Sequence, residues 1–358
     1  MKRNLRLALA ACLAGVFMLG ASSVFAVDTK ISAEVWARYN AQLQPDKSTA
    51  EATNVLKQNG FSIQRGYVTL NPKFNDEMAF RFTFDLHDVS SLYLKYAYFQ
   101  YTLPTMPDLT MYAGLIKTYF GTLDSWSYVT IDKDLSDIAG VSSADQGVSA
   151  YYYLPSGLGN CAFEIMNGEG YKKKSSYNTT NVHPAYVANL SLTPMAGLTV
   201  GGAVKYQYEG SLGKEIQKTF YNANLKYVMG PSELWLQYVS IEAQKDHAVD
   251  SYLLSAYYMG MFVFNMKSVE GLPPMELILR GDFKDPKAGT VTYDSTTRAT
   301  IVATIGMNYN ITKGVTFQLN YTREMPESLL SVDTPENSYK ISDKLAAQLK
   351  ISFSAKAK

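Results

Sequence analysis

Met78-Ala-Phe-Arg-Phe-Thr-Phe-Asp-Leu-His87 is the stretch on which the fold turns. Read alternately, it places Met78, Phe80, Phe82, Phe84 and Leu86 on one face and Ala79, Arg81, Thr83, Asp85 and His87 on the other. Only a period of two separates these sets, because a helix at 3.6 residues per turn would mix them. The stretch is therefore a β-strand with one apolar and one polar face. Leu198, Val200, Val204, Tyr206 and Tyr208 oppose Thr199, Ala203, Lys205 and Gln207 in the same way, and Met275, Leu277, Leu279 and Phe283 oppose Glu276, Arg280 and Asp282. Near the end, Val315, Phe317, Leu319 and Tyr321 face away from Thr316, Gln318, Asn320 and Thr322, and Leu345, Ala347, Leu349, Ile351 and Phe353 face away from Ala346, Gln348, Lys350 and Ser352.

Sixteen such segments start near residues 31, 60, 76, 91, 108, 145, 159, 184, 197, 216, 231, 249, 274, 298, 314 and 344. The connections between them alternate in kind. Asn71 to Asp76, Pro104 to Asp108, Pro155 to Asn160, Thr193 to Gly197, Gly230 to Ser232 and Ile311 to Gly314 are short and rich in turn formers. Pro45 to Asn59, Gly121 to Ala144, Gly168 to Pro184, Asp285 to Arg298 and Met325 to Asp343 are longer and polar. An even strand count with short turns on one side and long loops on the other is the pattern of a membrane-spanning barrel, with the short turns periplasmic. Two connections break the parity, the short one after His87 and the long one from Met261 to Pro274. The latter reads as a twelfth strand continuing through Phe262 and Phe264 before a turn at Gly271 to Pro274.

The N-terminus fits an exported protein. Lys2, Arg3 and Arg6 precede an apolar run from Leu7 to Gly20 and the small-residue end Val24-Phe25-Ala26, so residues 1–26 read as a signal peptide cleaved after Ala26. An uncleaved anchor and a lipoprotein signal around Cys12 are the competing readings. Of 33 Lys and Arg in the chain, three fall in that segment, leaving 30 against 32 Asp and Glu, a balance that gives no basic stripe for nucleic acid. Cys161 would be the one cysteine left, so no intrachain disulfide is possible. Beyond the leader no run approaches the roughly 18–20 apolar residues of a membrane helix. With 27 Tyr and 16 Phe, the chain suits the other structure that can span a bilayer, an all-β, transmembrane antiparallel β-barrel of about 16 strands formed by residues 27–358 as one domain.

A soluble sandwich would show the same alternation in any one strand, its apolar face sealed against a second sheet. The aromatic residues at strand ends favour the barrel. Tyr101, Tyr119, Tyr151 to Tyr153, Tyr257, Tyr258, Tyr309 and Tyr321 are expected to form the girdles where hydrocarbon meets head groups. The opposite parity puts Arg38, Arg65, Arg81, Lys95, Lys205, Lys226, Arg280 and Lys350 on the lumen wall, with Glu34, Asp85, Glu209, Glu233, Glu276 and Asp282 among them. The signs are mixed with a slight basic excess, which points to a weak preference for anions. The third long loop, Gly121 to Ala144, carries Asp124, Asp132, Lys133, Asp134 and Asp137. Folded into the lumen it would constrict the channel and set acids against the basic wall; standing outward it would do neither.

Several stretches resemble the phosphate-selective porin O and P family of Gram-negative outer-membrane porins: FSIQRGYVTLNPKFNDEMAFRFTFDL with Arg65 and Asp85, LTMYAGLIKTYFG with Gly114, Lys117 and Gly121, AFEIMNGEGY, MELILRGDFKDP with Glu276 and Arg280, and the closing GMNYNITKGVTFQLNYTRE and LAAQLKISF. The resemblance implies a sixteen-stranded barrel in the outer membrane, a homotrimer, a constricting third loop, and contact with membrane lipid and small hydrophilic solutes or ions. It does not imply phosphate as the solute, since the dense arginine and lysine ladder of phosphate-selective members is missing. The chain also departs in its end, where Phe353 is followed by Ser354 to Lys358.

Two other functions compete with a passive channel. A lipid hydrolase in a barrel would need a nucleophile and base in reach of each other, and His87, His183 and His247 lie at strand ends or in loops without triad or metal spacing. An adhesin or structural barrel would act through its loops. No cofactor, metal site or catalytic residue is indicated.

Overall fold

The computed structural model describes residues 27–45, 54–87, 91–121, 133–172, 183–209, 216–245, 252–286, 299–326 and 341–357. The expected signal peptide, Asp124, Asp132 and His247 lie outside them. The strands are β1 (Asp28–Pro45), β2 (Asn54–Lys73), β3 (Met78–His87), β4 (Ser91–Leu103), β5 (Met106–Lys117), β6 (Ala144–Leu154), β7 (Gly159–Met166) and β8 (Ala185–Met195), then β9 (Leu198–Glu209), β10 (Ile216–Met229), β11 (Ser232–Lys245), β12 (Tyr252–Asn265), β13 (Met275–Asp285), β14 (Thr300–Thr312), β15 (Val315–Pro326) and β16 (Ser342–Ala357). Each pairs antiparallel with its sequence neighbours, and β1 pairs with β16 from Thr29–Ala357 to Leu43–Asp343, closing the ring. Closure leaves no strand edge, which is what lets such a sheet stand in lipid. The connection between β5 and β6 holds one short helix, α1 (Leu135–Ile138).

Side-chain size and turn chemistry account for the register. Gly197 and Gly314 take φ of 80° and 84° in the two-residue turns before β9 and β15. A Cβ there would meet Val228 O at 2.4 Å and Ser352 O at 2.3 Å respectively, so both steric and conformational arguments call for glycine. Strand β12 runs through Phe262 and Phe264 to Asn265, and a 3-10 turn at Met266–Ser268 follows, so the long connection after it is partly strand.

The exterior is apolar. On β13, Leu277 and Leu279 are 42% and 53% exposed while Glu276, Ile278, Arg280 and Asp282 between them are buried. Val148, Phe163, Leu190, Leu236, Phe262, Ile305 and Ile351 repeat the pattern around the ring. Leaving such a surface in water would forgo about 25 cal/mol for each Å² of apolar area, whereas acyl chains accept it without cost. The fold is a transmembrane antiparallel β-barrel of sixteen strands.

Candidate functional site

Because alternate residues point out, the parity that exposes Leu277 and Leu279 turns the polar set inward. Arg38, Arg65, Arg81, Asp85, Lys205, Glu276, Arg280, Asp282 and Lys350 all stand on the inner face. Lys95 reaches it by a device of its own. Thr83 pairs with Tyr96 and Phe84 with Leu94, so Lys95 is the extra residue of a β-bulge, and the bulge turns Lys95 and Tyr96 to the same side.

The described residues 133–143 of the connection between β5 and β6 lie across the lumen. Its helix α1 starts at Asp134, whose Oδ1 accepts the Ser136 amide at 2.9 Å. Burial pushes the Asp134 carboxyl up, while the Ser136 amide draws it down. Arg280 on β13 donates from Nη2 to Lys133 O at 2.9 Å, Asn222 on β10 donates to Ser136 Oγ at 3.3 Å, and Gln237 on β11 donates to Asp134 Oδ1 at 3.5 Å. In a ring of sixteen, β13 is eight places from β5 in either direction, so a segment fixed to both spans the channel. Phe120, Leu135, Ala139 and Val141 of this connection pack against Met166, Val187, Val239, Met259, Met261, Val263 and Ile278, inner-face residues of β7, β8 and β11 to β13. Each large side chain sealed in this way contributes about 1.5–3 kcal/mol, enough in sum to hold the segment in place.

The consequence for the expected passage is a correction of place. Lys205, Arg280 and Asp282 are on the inner face but buried, 2%, 3% and 2% exposed, with Arg280 tied to this loop. Arg280 Nε reaches both Asp282 oxygens at 2.9 and 3.0 Å and anchors the loop rather than facing open solvent. Asp145 pins a second segment, accepting the Gly168 amide at 2.6 Å and the Gln146 amide at 2.8 Å, and Glu164 accepts the Tyr119 amide with both oxygens at 3.1 and 3.2 Å.

The opposite sector is polar and aromatic. Asp85 is fully buried, 3.2 Å from Arg65 Nη1, and accepts the Tyr171 hydroxyl at 2.8 Å. Tyr171 belongs to the connection after β7, so this contact also bridges distant strands. Burial and the Asp85 carboxylate push its phenol well up, which keeps it a donor. Lys95 Nζ lies 4.9 Å from the centre of the Tyr67 ring, 5.6 Å from Tyr96 and 5.9 Å from Tyr171, and the Arg81 guanidinium lies 4.8 Å from Tyr96. Lys172 sits over Tyr93 and Tyr171 at 5.9 and 5.8 Å. Asp137, on α1, is within electrostatic reach of both Lys95 and Lys172. Of the acids expected in the third loop, Asp134 is buried in the loop's own seat.

The remaining inner wall is an amide relay. Arg38 Nε donates to Gln348 Oε1 at 2.7 Å, Gln348 to Gln318 at 2.8 Å, Gln318 to Asn308 at 3.0 Å, Asn308 to Glu276 at 3.0 Å, and Lys267 closes on Glu276 at 2.8 Å. Lys350 lies 3.3 Å from Glu34 and 5.3 Å from the Trp36 ring centre.

Sequence reading missed Tyr67, Tyr96, Tyr171 and Lys172 as members of the site. It also misplaced part of the expected girdle. Tyr101, Tyr152, Tyr258, Tyr309 and Tyr321 do point outward, but Tyr119, Tyr151, Tyr153 and Tyr257 are turned into the barrel. In Tyr151-Tyr152-Tyr153 the strand period itself requires the two outer members to face one way and the middle one the other.

No protein-family profile matches the chain, and no curated protein does. Solved structures do. The outer membrane channel DcaP of Acinetobacter baumannii superposes with a TM-score of 0.63 at 13% identity, over 93% of this chain and 99% of that one. An anion-selective porin from Comamonas acidovorans gives 0.62 at 12%, over 91% and 100%. OmpF of Salmonella typhi, in its complex with daunomycin, gives 0.59 at 10%, over 91% and 97%. At these identities the likeness is one of fold: the sixteen-stranded barrel of this chain superposes on those of outer-membrane porins.

Proposed function

We propose that the protein is an outer-membrane porin, a channel for passive diffusion of small hydrophilic solutes or ions, made as a precursor whose residues 1–26 are removed on export. The observation that carries this reading is the connection from β5 to β6, whose described residues are seated inside the barrel by Leu135 and its partners and tied to β13 by Arg280, while Arg81, Lys95 and Lys172 cluster on the facing wall. A barrel that merely anchored loops would have no use for a constriction with opposed charge. Charge held at fixed positions across a narrow aqueous opening focuses the field there and selects among ions. Arg65, Arg81, Lys95 and Lys172 outnumber Asp85 and Asp137 at this level, which favours anions. The porin fold of the neighbouring structures supports the reading.

The resemblance to the phosphate-selective porin O and P family further suggests a homotrimer, with a solute other than phosphate. Protein purified in detergent and reconstituted into planar bilayers is expected to give stepwise, ohmic conductance that scales with salt, and a reversal potential of anionic sign under a salt gradient. Folded protein that leaves the bilayer silent overturns the proposal.

A further inference from the structure

We infer that the inner wall of β4 to β6 is a stacking track for small anions that carry a six-membered ring; the inference rests on the porin reading. The track is built from Tyr96, Tyr98, Tyr112, Tyr119, Tyr151 and Tyr153. Ring centres follow one another at 6.2 Å from Tyr96 to Tyr98, 5.4 Å to Tyr112, 6.4 Å to Tyr119, 5.0 Å to Tyr151 and 4.9 Å to Tyr153.

Its course follows the axis. Tyr96 lies seven residues before the periplasmic end of β4 at Leu103, and Tyr153 lies one residue before the end of β6 at Leu154. At about 3.3 Å per residue and a tilt of about 40°, the rings descend roughly 15–20 Å, from the level of the constriction to the periplasmic rim. Several neighbouring pairs meet edge to face, at 72°, 87° and 70°, a geometry that leaves ring faces available to a third party. Tyr153 is 54% exposed at the lower end.

Lining a wet lumen does not by itself call for aromatic rings. The Gln348, Gln318 and Asn308 wall of the same barrel is built of amides that satisfy one another. Nor does strand propensity alone explain the choice, because the outward positions of β3 and β4 include Phe80, Phe82 and Phe99 while the inward positions of β4 include Tyr93, Tyr96 and Tyr98. A row of phenols offers apolar faces for a ring and hydroxyls for its substituents. Sequence-tolerant stacking of this kind is how aromatic side chains hold successive flat groups in other lumens and grooves. The charge of the solute is set at the top, where Arg81, Lys95 and Lys172 surround Tyr96 and Tyr171. An anion drawn to these cations would meet the first ring of the track at once.

Ring-bearing anions arise as sugar acids or as aromatic acids, and the test separates them. Glucuronate, benzoate and open-chain gluconate are added in turn to one side of a bilayer holding single channels, and current block is titrated. Glucuronate or benzoate is expected to block with an apparent affinity about fivefold or more above that of gluconate, and whichever does so names the source. Replacing both rings, Tyr98→Ala with Tyr112→Ala, is expected to erase the advantage while the salt current persists. Tyr98→Phe with Tyr112→Phe, which keeps both rings, is expected to retain it. Equal block by gluconate, or an advantage that survives loss of the rings, overturns the track while leaving the porin standing. Absence of any conductance from folded protein overturns both readings together.

Discussion

The two halves of the inner wall are made from the same kind of strand and end differently. From β7 to β13 the inward side chains include Val187, Val239, Met259, Met261, Val263 and Ile278, and the third long loop lies on them. From β14 round through β1 to β6 the inward side chains include amides, charges and phenols that meet one another along the wall. The difference teaches that a lumen wall is sorted by what covers it. An apolar inner arc in a water-filled barrel is stable only when something apolar is laid over it. The loop takes its position from that arc and the passage is what remains.

The sharpest way to break the contrast is Leu135→Asp. Leu135 is fully buried at the centre of the seat, and a carboxylate there loses the apolar contact and must find water. The loop is expected to leave the wall, with a several-fold rise in single-channel conductance and faster proteolysis of the loop; an unchanged conductance would mean that the apolar seat does not set the constriction. Arg280→Met is next. It frees Lys133 O and removes the buried Arg280–Asp282 ion pair, costing about 3–5 kcal/mol of the seat, visible as larger current fluctuations and a lower melting temperature. On the open side, Arg81→Glu together with Lys95→Glu is expected to lower the anion-to-cation permeability ratio roughly fivefold or more, as a change of about 1 kcal/mol in local ion energy requires. No shift in reversal potential would remove both residues from the path. The smallest effect is that of Gln318→Leu, which leaves Gln348 and Asn308 each short of a partner and is expected to cost about 1–3 kcal/mol of stability with selectivity unchanged, measured by thermal melting in detergent.

Much of the barrel was legible because period-two patterning marks strands and their connections independently of what surrounds them. Starts expected at 91, 159 and 216 fall on Ser91, Gly159 and Ile216, and the broad reading of the long connection after β12 as part strand matches Asn265. The pattern separates two faces but says nothing of how each is covered, and there the reading stopped. It took the polar parity as the passage and so put Lys205 and Arg280 along it, when both are buried and Arg280 is bound to the loop. A signal was present in β12, whose AYYMGMFVF run is apolar on both parities, as a strand buried on both faces should be. Tyrosine is the other blind spot: it suits a membrane interface and a wet wall alike, so Tyr119, Tyr151 and Tyr153 could not be assigned without the register. Tyr171 and Lys172 come from a connection whose return into the barrel depends on Asp145 holding Gly168, a contact made across 23 residues.

The amide relay ties together parts of the chain that are made at opposite times. Its first donor, Arg38, and the Gln348 that receives it are 310 residues apart, on the two strands that meet at the seam. Contacts so remote bring a large loop-closure entropy that must be met before they return anything. The early strands therefore hold Arg38 apart from its Gln348 acceptor until the last strand arrives, and its arrival settles the seam and the wall in one event. Circularisation acts as a checkpoint on a finished polypeptide, since a barrel lacking its last strand lacks both Gln348 bonds, the one from Arg38 and the one to Gln318.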